Sequence, residues 1–149
     1  MPRRTAGPRG FPTEVAHTPQ RASLRVPLGS GDELVGWLSL EYMRDDPLVV
    51  SIVVRAPSRA AVLERTMLRV DLRDALSVSI RYKDMTVEPG TRGFTSFQFE
   101  ETLVIVTTLV PSDVIARFLQ ATDEVVPPGQ AETTVVSSML EDLLQDSGA

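Results

Sequence analysis

The chain has 149 residues, of which 42% are hydrophobic, with a formal net charge of −5 and a pI near 4.9. That length supports one globular core plus tails, and an acidic balance disfavours general binding to a phosphate backbone, which needs clustered Lys and Arg to release counterions. Cysteine is absent and His17 is the sole histidine. Disulfides and thiolate metal sites are therefore excluded, and a histidine-based triad would have to recruit a Pro-rich tail. No cofactor or metal is expected. A chain without cysteine fits a reducing cytoplasm. No run approaches the roughly 20 apolar residues that a bilayer span needs.

Residues 1–22 contain Pro2, Pro8, Pro12 and Pro19 with few large apolar side chains. Such a composition cannot bury enough surface to order itself, so a disordered basic leader is expected there. Its four arginines against Glu14 give +3, leaving −8 for the remainder. Arg3 and Arg4 are not followed by an apolar segment, which argues against an export signal. The expected organisation is a leader over 1–22, a single domain over 23–145 and a short tail over 146–149.

From Leu24 onward the pattern is that of an antiparallel sheet with one wet face. Leu24, Val26 and Leu28 alternate with Arg25 and Pro27, and that proline predicts an edge or a strand end. Gly29-Ser30-Gly31-Asp32 reads as a turn. Glu33 to Met43 reads as a strand that is apolar on both faces, with Val35 and Trp37 opposite Leu38, Leu40 and Tyr42. Arg44-Asp45-Asp46-Pro47 makes the next turn, because Asp side chains bond local backbone and Pro fixes the exit dihedral. Leu48 to Arg55 is a β-branched central strand and Ala61 to Val70 a further strand. A short helix capped by Asp71 runs to Leu76. Ser79 to Val87 and Gly93 to Phe99 form the next pair, joined at Glu88-Pro89-Gly90, with Phe94, Phe97 and Phe99 supplying aromatic area.

Thr102 to Val110 is the last strand and feeds into the stretch Val110 to Gln130. Pro111 suits a first helical turn, while Ser112 and Asp113 are placed to accept its free N–H groups. Val114, Ile115, Phe118 and Leu119 recur at helical spacing, with Arg117 and Gln120 pointing away. Pro127, Pro128 and Gly129 end the element. Beyond it, Val135, Val136, Met139, Leu140, Leu143 and Leu144 predict a second amphipathic helix with an acidic outer face. The expected fold is α+β: a bent antiparallel sheet of six to seven strands packed with one long and one C-terminal helix.

Sequence neighbours such as Asp45-Asp46, Glu100-Glu101 and Asp123-Glu124 face opposite ways or into water, so they read as turn chemistry and not as an acid–base pair. Gly29-Ser30-Gly31 lacks the Lys and the following helix of a phosphate loop. No nucleophile, base and oxyanion donor assemble, so no enzyme is expected.

Three segments carry a family resemblance. L-R-V-P-L followed by Y-M-R-D-D-P-L-V-V places Tyr42, Asp46 and Pro47 at a corner. E-R-T-M-L-R-V-D-L-R-D-A-L places Arg69 and Leu72 where a strand enters a helix. F-L-Q-A-T-D-E-V-V-P-P-G-Q, the most specific, brings Phe118, Leu119, Thr122, Asp123, Pro127 and Gly129. Over about Leu24 to Leu144 the chain resembles the SsgA-like proteins of actinobacteria. It does so as a divergent member, with Arg65 where the family usually has Trp and Ala75 where it usually has Gly. The resemblance implies a whirly-like fold similar to a single-stranded nucleic-acid-binding fold. It also implies a non-enzymatic regulator or adaptor of septum formation and sporulation-specific division, and assembly into a trimer or dimer. The cell-division protein FtsZ or a related family member is an implied partner, in the cytoplasm and at division septa. The alternative is a single-stranded nucleic-acid-binding or transcriptional regulator, which the net charge disfavours.

Overall fold

The structure, a computed structural model, describes residues 13–30, 33–58, 61–102, 105–130, 140–141 and 143–145. Nine strands among them form two antiparallel sheets. The first is a meander of β1 (Glu14–His17), β2 (Arg21–Ser30), β3 (Glu33–Met43), β4 (Val49–Arg55) and β5 (Ala61–Leu68). A short helix, α1 (Arg69–Asp74), leads to the second meander of β6 (Ile80–Arg81), β7 (Met85–Pro89), β8 (Phe94–Glu100) and β9 (Ile105–Pro111). Helix α2 (Ser112–Val125) then packs across β1 and β2. The α+β class with antiparallel strands and a long helix is as expected, but the strands divide into sheets of five and four. The division falls at α1, and Tyr82 to Asp84 reverses the chain inside the segment read as one strand. There the Tyr82 N–H donates to the Met85 carbonyl at 2.7 Å.

Period-two patterning accounts for the first sheet. Leu24, Val26 and Leu28 of β2, Leu38, Leu40 and Tyr42 of β3, and Val50, Ile52 and Val54 of β4 share the buried face. Met85, Val87, Phe97, Phe99 and Val110 join them from the second sheet, and Val114, Ile115, Phe118 and Leu119 close the core from α2. Arg117 and Gln120 are exposed, as the helical spacing predicts. On the other face of β3, Trp37 is buried beneath the Arg25 guanidinium, 4.0 Å from the ring centroid. The strand is thus apolar on both faces there.

Four local expectations need correction. Glu14 to His17, assigned to the leader, is a strand paired with Ala22 to Arg25 of β2. A four-residue edge needs backbone partners more than apolar bulk, and composition does not register that. Val15 packs on the core and His17 Nε2 lies 2.8 Å from Glu124 on α2. The strand β5 ends at Leu68, so α1 begins two residues earlier than expected, and Asp71 is an internal residue and not its cap. The start of α2 has no side-chain cap either: the Ser112 hydroxyl is 2.7 Å from that of Thr95. Pro27 lies past the end of the β1 pairing, in agreement with its reading as an edge residue. Of the expected C-terminal helix, Leu140, Glu141 and Leu143 to Gln145 are helical, while Val135, Val136 and Met139 lie outside the described residues. The part of the leader before residue 13 and the tail from 146 also lie outside them.

Candidate functional site: a buried arginine joining sheet and helix

Arg69 follows β5 directly, and its backbone N–H donates to the Leu48 carbonyl at 2.7 Å, so its side chain is launched inward from the sheet edge. It is 1% exposed. Nη1 donates to the carbonyls of Val126 at 2.8 Å and Thr122 at 3.1 Å, and lies 3.4 Å from both the Thr122 hydroxyl and Asp123 Oδ1. These groups form the end of α2, whose last turn holds no basic residue of its own. The unpaired carbonyls at a helix C-terminus carry partial negative charge, and Arg69 supplies the compensating cation from a different element.

Desolvating a guanidinium costs several kcal/mol unless it is paired and hydrogen-bonded, and two further contacts offset this. The guanidinium carbon sits 4.9 Å from the Tyr42 ring centroid, within cation–π range. Arg73, four residues on and so on the same side of the helix, holds Asp123 Oδ1 at 2.7 Å. Tyr42 is itself fixed, its hydroxyl donating to the Pro47 carbonyl at 2.9 Å. One atom, Arg69 Nη2, is buried with no hydrogen-bond partner.

The expected site residues therefore meet, in part, at one junction. Tyr42, Pro47, Arg69, Thr122 and Asp123 are linked by contact. Leu72, Phe118 and Leu119 are buried beside them in the same core cluster. Asp46 is exposed in the turn, where its N–H donates to the Met43 carbonyl at 3.1 Å. Pro127 and Gly129 are exposed at the helix exit, Gly129 with φ of 85°. The neighbours Asp123 and Glu124 diverge, one toward the arginines and the other to His17. The sequence reading missed Arg73, although its spacing from Arg69 is the signal that finds it.

A second arginine joins the two sheets. Arg65 Nε lies 3.0 Å from Asp84 Oδ2, off the hydrogen-bonding direction, and Nη2 lies 3.3 Å from Glu101 Oε1. Nη2 also donates to the Glu100 carbonyl at 3.3 Å. Nearby, the Tyr82 hydroxyl donates to Asp71 Oδ2 at 2.6 Å and accepts the Leu68 N–H at 2.9 Å. Burial, then the bond to Asp71, raises the Tyr82 phenol above its ordinary pKa of 10.0. Beside this cluster a groove of about 630 Å³ is lined by Ser51, Val53, Glu64, Thr66 and Lys83 among others. Among the described residues no three His, Asp or Glu side chains gather at metal-binding distance.

A family model described as Streptomyces sporulation and cell division protein, SsgA, matches residues 37–131, a span that holds every junction residue. The chain belongs to the SsgA family. Two solved structures share the SsgA-type fold. One is SsgB of Streptomyces coelicolor, whose mutations correlate with longitudinal cell division during sporulation. It is 19% identical with a TM-score of 0.63, over 81% of this chain and 95% of its own. The other is an SsgA-like sporulation-specific cell division protein from Thermobifida fusca YX-ER1. It is 18% identical with a TM-score of 0.65, over 85% of this chain and 99% of its own. At that identity the likeness is one of fold. No curated protein matches the chain by sequence.

Proposed function

We propose that this SsgA-family protein is a non-enzymatic adaptor in sporulation-specific cell division, acting by contact with other proteins. The observation that carries this reading is the use to which the family-signature residues are put. Arg69, Thr122 and Asp123 are engaged with one another at the helix junction, so their polar groups are taken up in holding that junction. The partners proposed are further copies of itself and a component of the division machinery such as FtsZ or a related family member, in the cytoplasm at forming septa. No described helix is long and apolar enough to cross a membrane. Deleting the gene in the native host and imaging septa in sporulating hyphae tests the reading. Absent, misplaced or irregularly spaced septa are expected, restored by the wild-type gene; normal septation in the deletion strain would end it.

The alternative, single-stranded nucleic-acid binding, would call on aromatic faces flanked by cations. Arg25 and Arg55 do line a pocket with Trp37, but the Arg25 guanidinium already covers the indole. Binding of labelled single strands that weakens steeply with salt would favour this alternative.

A further inference from the structure

The core covers one face of the first sheet, and period-two alternation sends the remaining side chains to the other. On that other face a pocket of about 330 Å³ lies across β2, β3 and β4, lined among the described residues by Arg25, Trp37, Ser39 and Arg55. Strand pairing fixes the arrangement: Arg25 stands opposite Ser39, and Trp37 stands between Pro27 and Arg55. The volume is at the lower end of the range for ligand sites. Two cations line it and no described carboxylate does, although the chain as a whole carries −5.

Arg25 is held in place before any ligand arrives. Its guanidinium lies over the indole, 4.0 Å from the ring centroid. A guanidinium stacked on a ring uses its π face and keeps its in-plane N–H fork for a bidentate acceptor. Among the described residues the Arg25 side chain has no hydrogen bond or ion pair. Glu14 stands opposite it on β1, on the side away from the pocket. The other carboxylates of this face are Glu41, one pair further along β3 and within reach of the charges of Arg21 and Arg55, and Glu64, opposite Val53 on β5. Neither lines the pocket.

We propose that this pocket takes the carboxylate of an acidic peptide presented by a protein partner. The charges select that occupant. A nucleic-acid strand brings a negative charge with every nucleotide, and one laid on this face would set several of them beside Glu14, Glu41 and Glu64. The indole face on which a base would stack is taken by Arg25. A peptide can place one carboxylate between Arg25 and Arg55 and turn uncharged side chains to the rest. The −5 of the whole chain opposes this little at physiological salt, where exposed charges more than about 8 Å away are largely screened. The inference rests on the adaptor reading and adds to it the chemistry of a partner.

The test follows the emission of Trp37, the sole tryptophan, in the full chain at physiological salt. Blocked hexaglutamate is titrated in, with blocked hexalysine, single-stranded oligothymidylate and inorganic phosphate as comparisons. The expected result is a saturable change with hexaglutamate alone. It is weakened about tenfold or more in Arg25→Gln and in Arg55→Gln, the scale of one lost charge-assisted hydrogen bond. It is unchanged in Arg117→Gln, which removes an exposed arginine on α2, and circular dichroism is the same for all. An equal change with phosphate at the same concentration overturns the peptide assignment and marks an adventitious ion only. Tighter binding of oligothymidylate overturns it in favour of nucleic acid. These wild-type comparisons decide even where a variant fails to fold. Binding that survives both glutamines overturns the location. No change with any probe overturns the pocket as a site, while the septation experiment still decides the adaptor reading.

Discussion

Gly36 shows how a single position constrains the first sheet. Its φ is 121°, and a Cβ placed there would collide with the Arg55 carbonyl oxygen on the neighbouring strand. Both the conformation and the close approach require glycine. Gly36→Ala is expected to cost about 3 kcal/mol or more, read as a lower urea midpoint. Glu41, on the outer face of β3, is a site of opposite character. Burial pushes its carboxyl above the ordinary value of 4.5, while Arg21 and Arg55 pull it down less strongly, and Oε2 has no hydrogen-bond partner. The folded state therefore keeps a proton that the unfolded chain has released. Its contribution is complete below 4.5 and is lost as pH rises through the folded pKa. Glu41→Gln, which mimics the protonated form, is expected to match wild type at about pH 4 and to be the more stable at about pH 7, as read by thermal unfolding. A variant less stable at neutral pH would show that the charge is held favourably after all.

At the scale of elements, α2 was legible because its apolar positions repeat at 3.6 residues and its exit is marked by two prolines and a glycine. Phe118 lies fully buried at the centre of that face. Phe118→Ala is expected to cost about 3–5 kcal/mol by chemical denaturation, the range for deleting a large core side chain. The strands β2, β3 and β4 were legible by the same logic at period two. Less of the rest could be read. β1 is too short for a period and is held by its neighbours: pairing to β2, Val15 on the core and His17 against α2. Asp71 and Ser112 have the chemistry of helix caps, but Tyr82 and Thr95 engage them instead. Local propensity was overridden by partners distant in sequence, which periodicity cannot see. Truncating His17 to Ala is expected to cost less than about 1 kcal/mol, since the pair it makes with Glu124 is half exposed. A larger loss by the same denaturation would mean that β1 is pinned mainly by that contact.

Across the whole molecule, two arginines stitch together parts that the chain visits far apart. Arg65 links β5 to the β6–β7 turn and to Glu101 beyond β8, and Arg69 links β5 to the end of α2. The family motifs marked Arg69, Thr122 and Asp123 individually. What they do together became visible only once the fold placed residues 53 and 54 positions apart in contact. Arg65, at the position where the resemblance has Trp, holds this seam through its ion pairs to Asp84 and Glu101.

Arg69 latches the first sheet to the end of α2. Urea unfolding of Arg69→Met against wild type tests it most directly. Removing the guanidinium strands the Val126 carbonyl, an unsatisfied group costing about 1–3 kcal/mol, and leaves Asp123 to Arg73 alone, while the Thr122 carbonyl keeps the Val126 N–H. A loss of about 2–4 kcal/mol in a single cooperative transition is predicted. An unchanged midpoint would contradict the latch and with it the structural reading of the family signature.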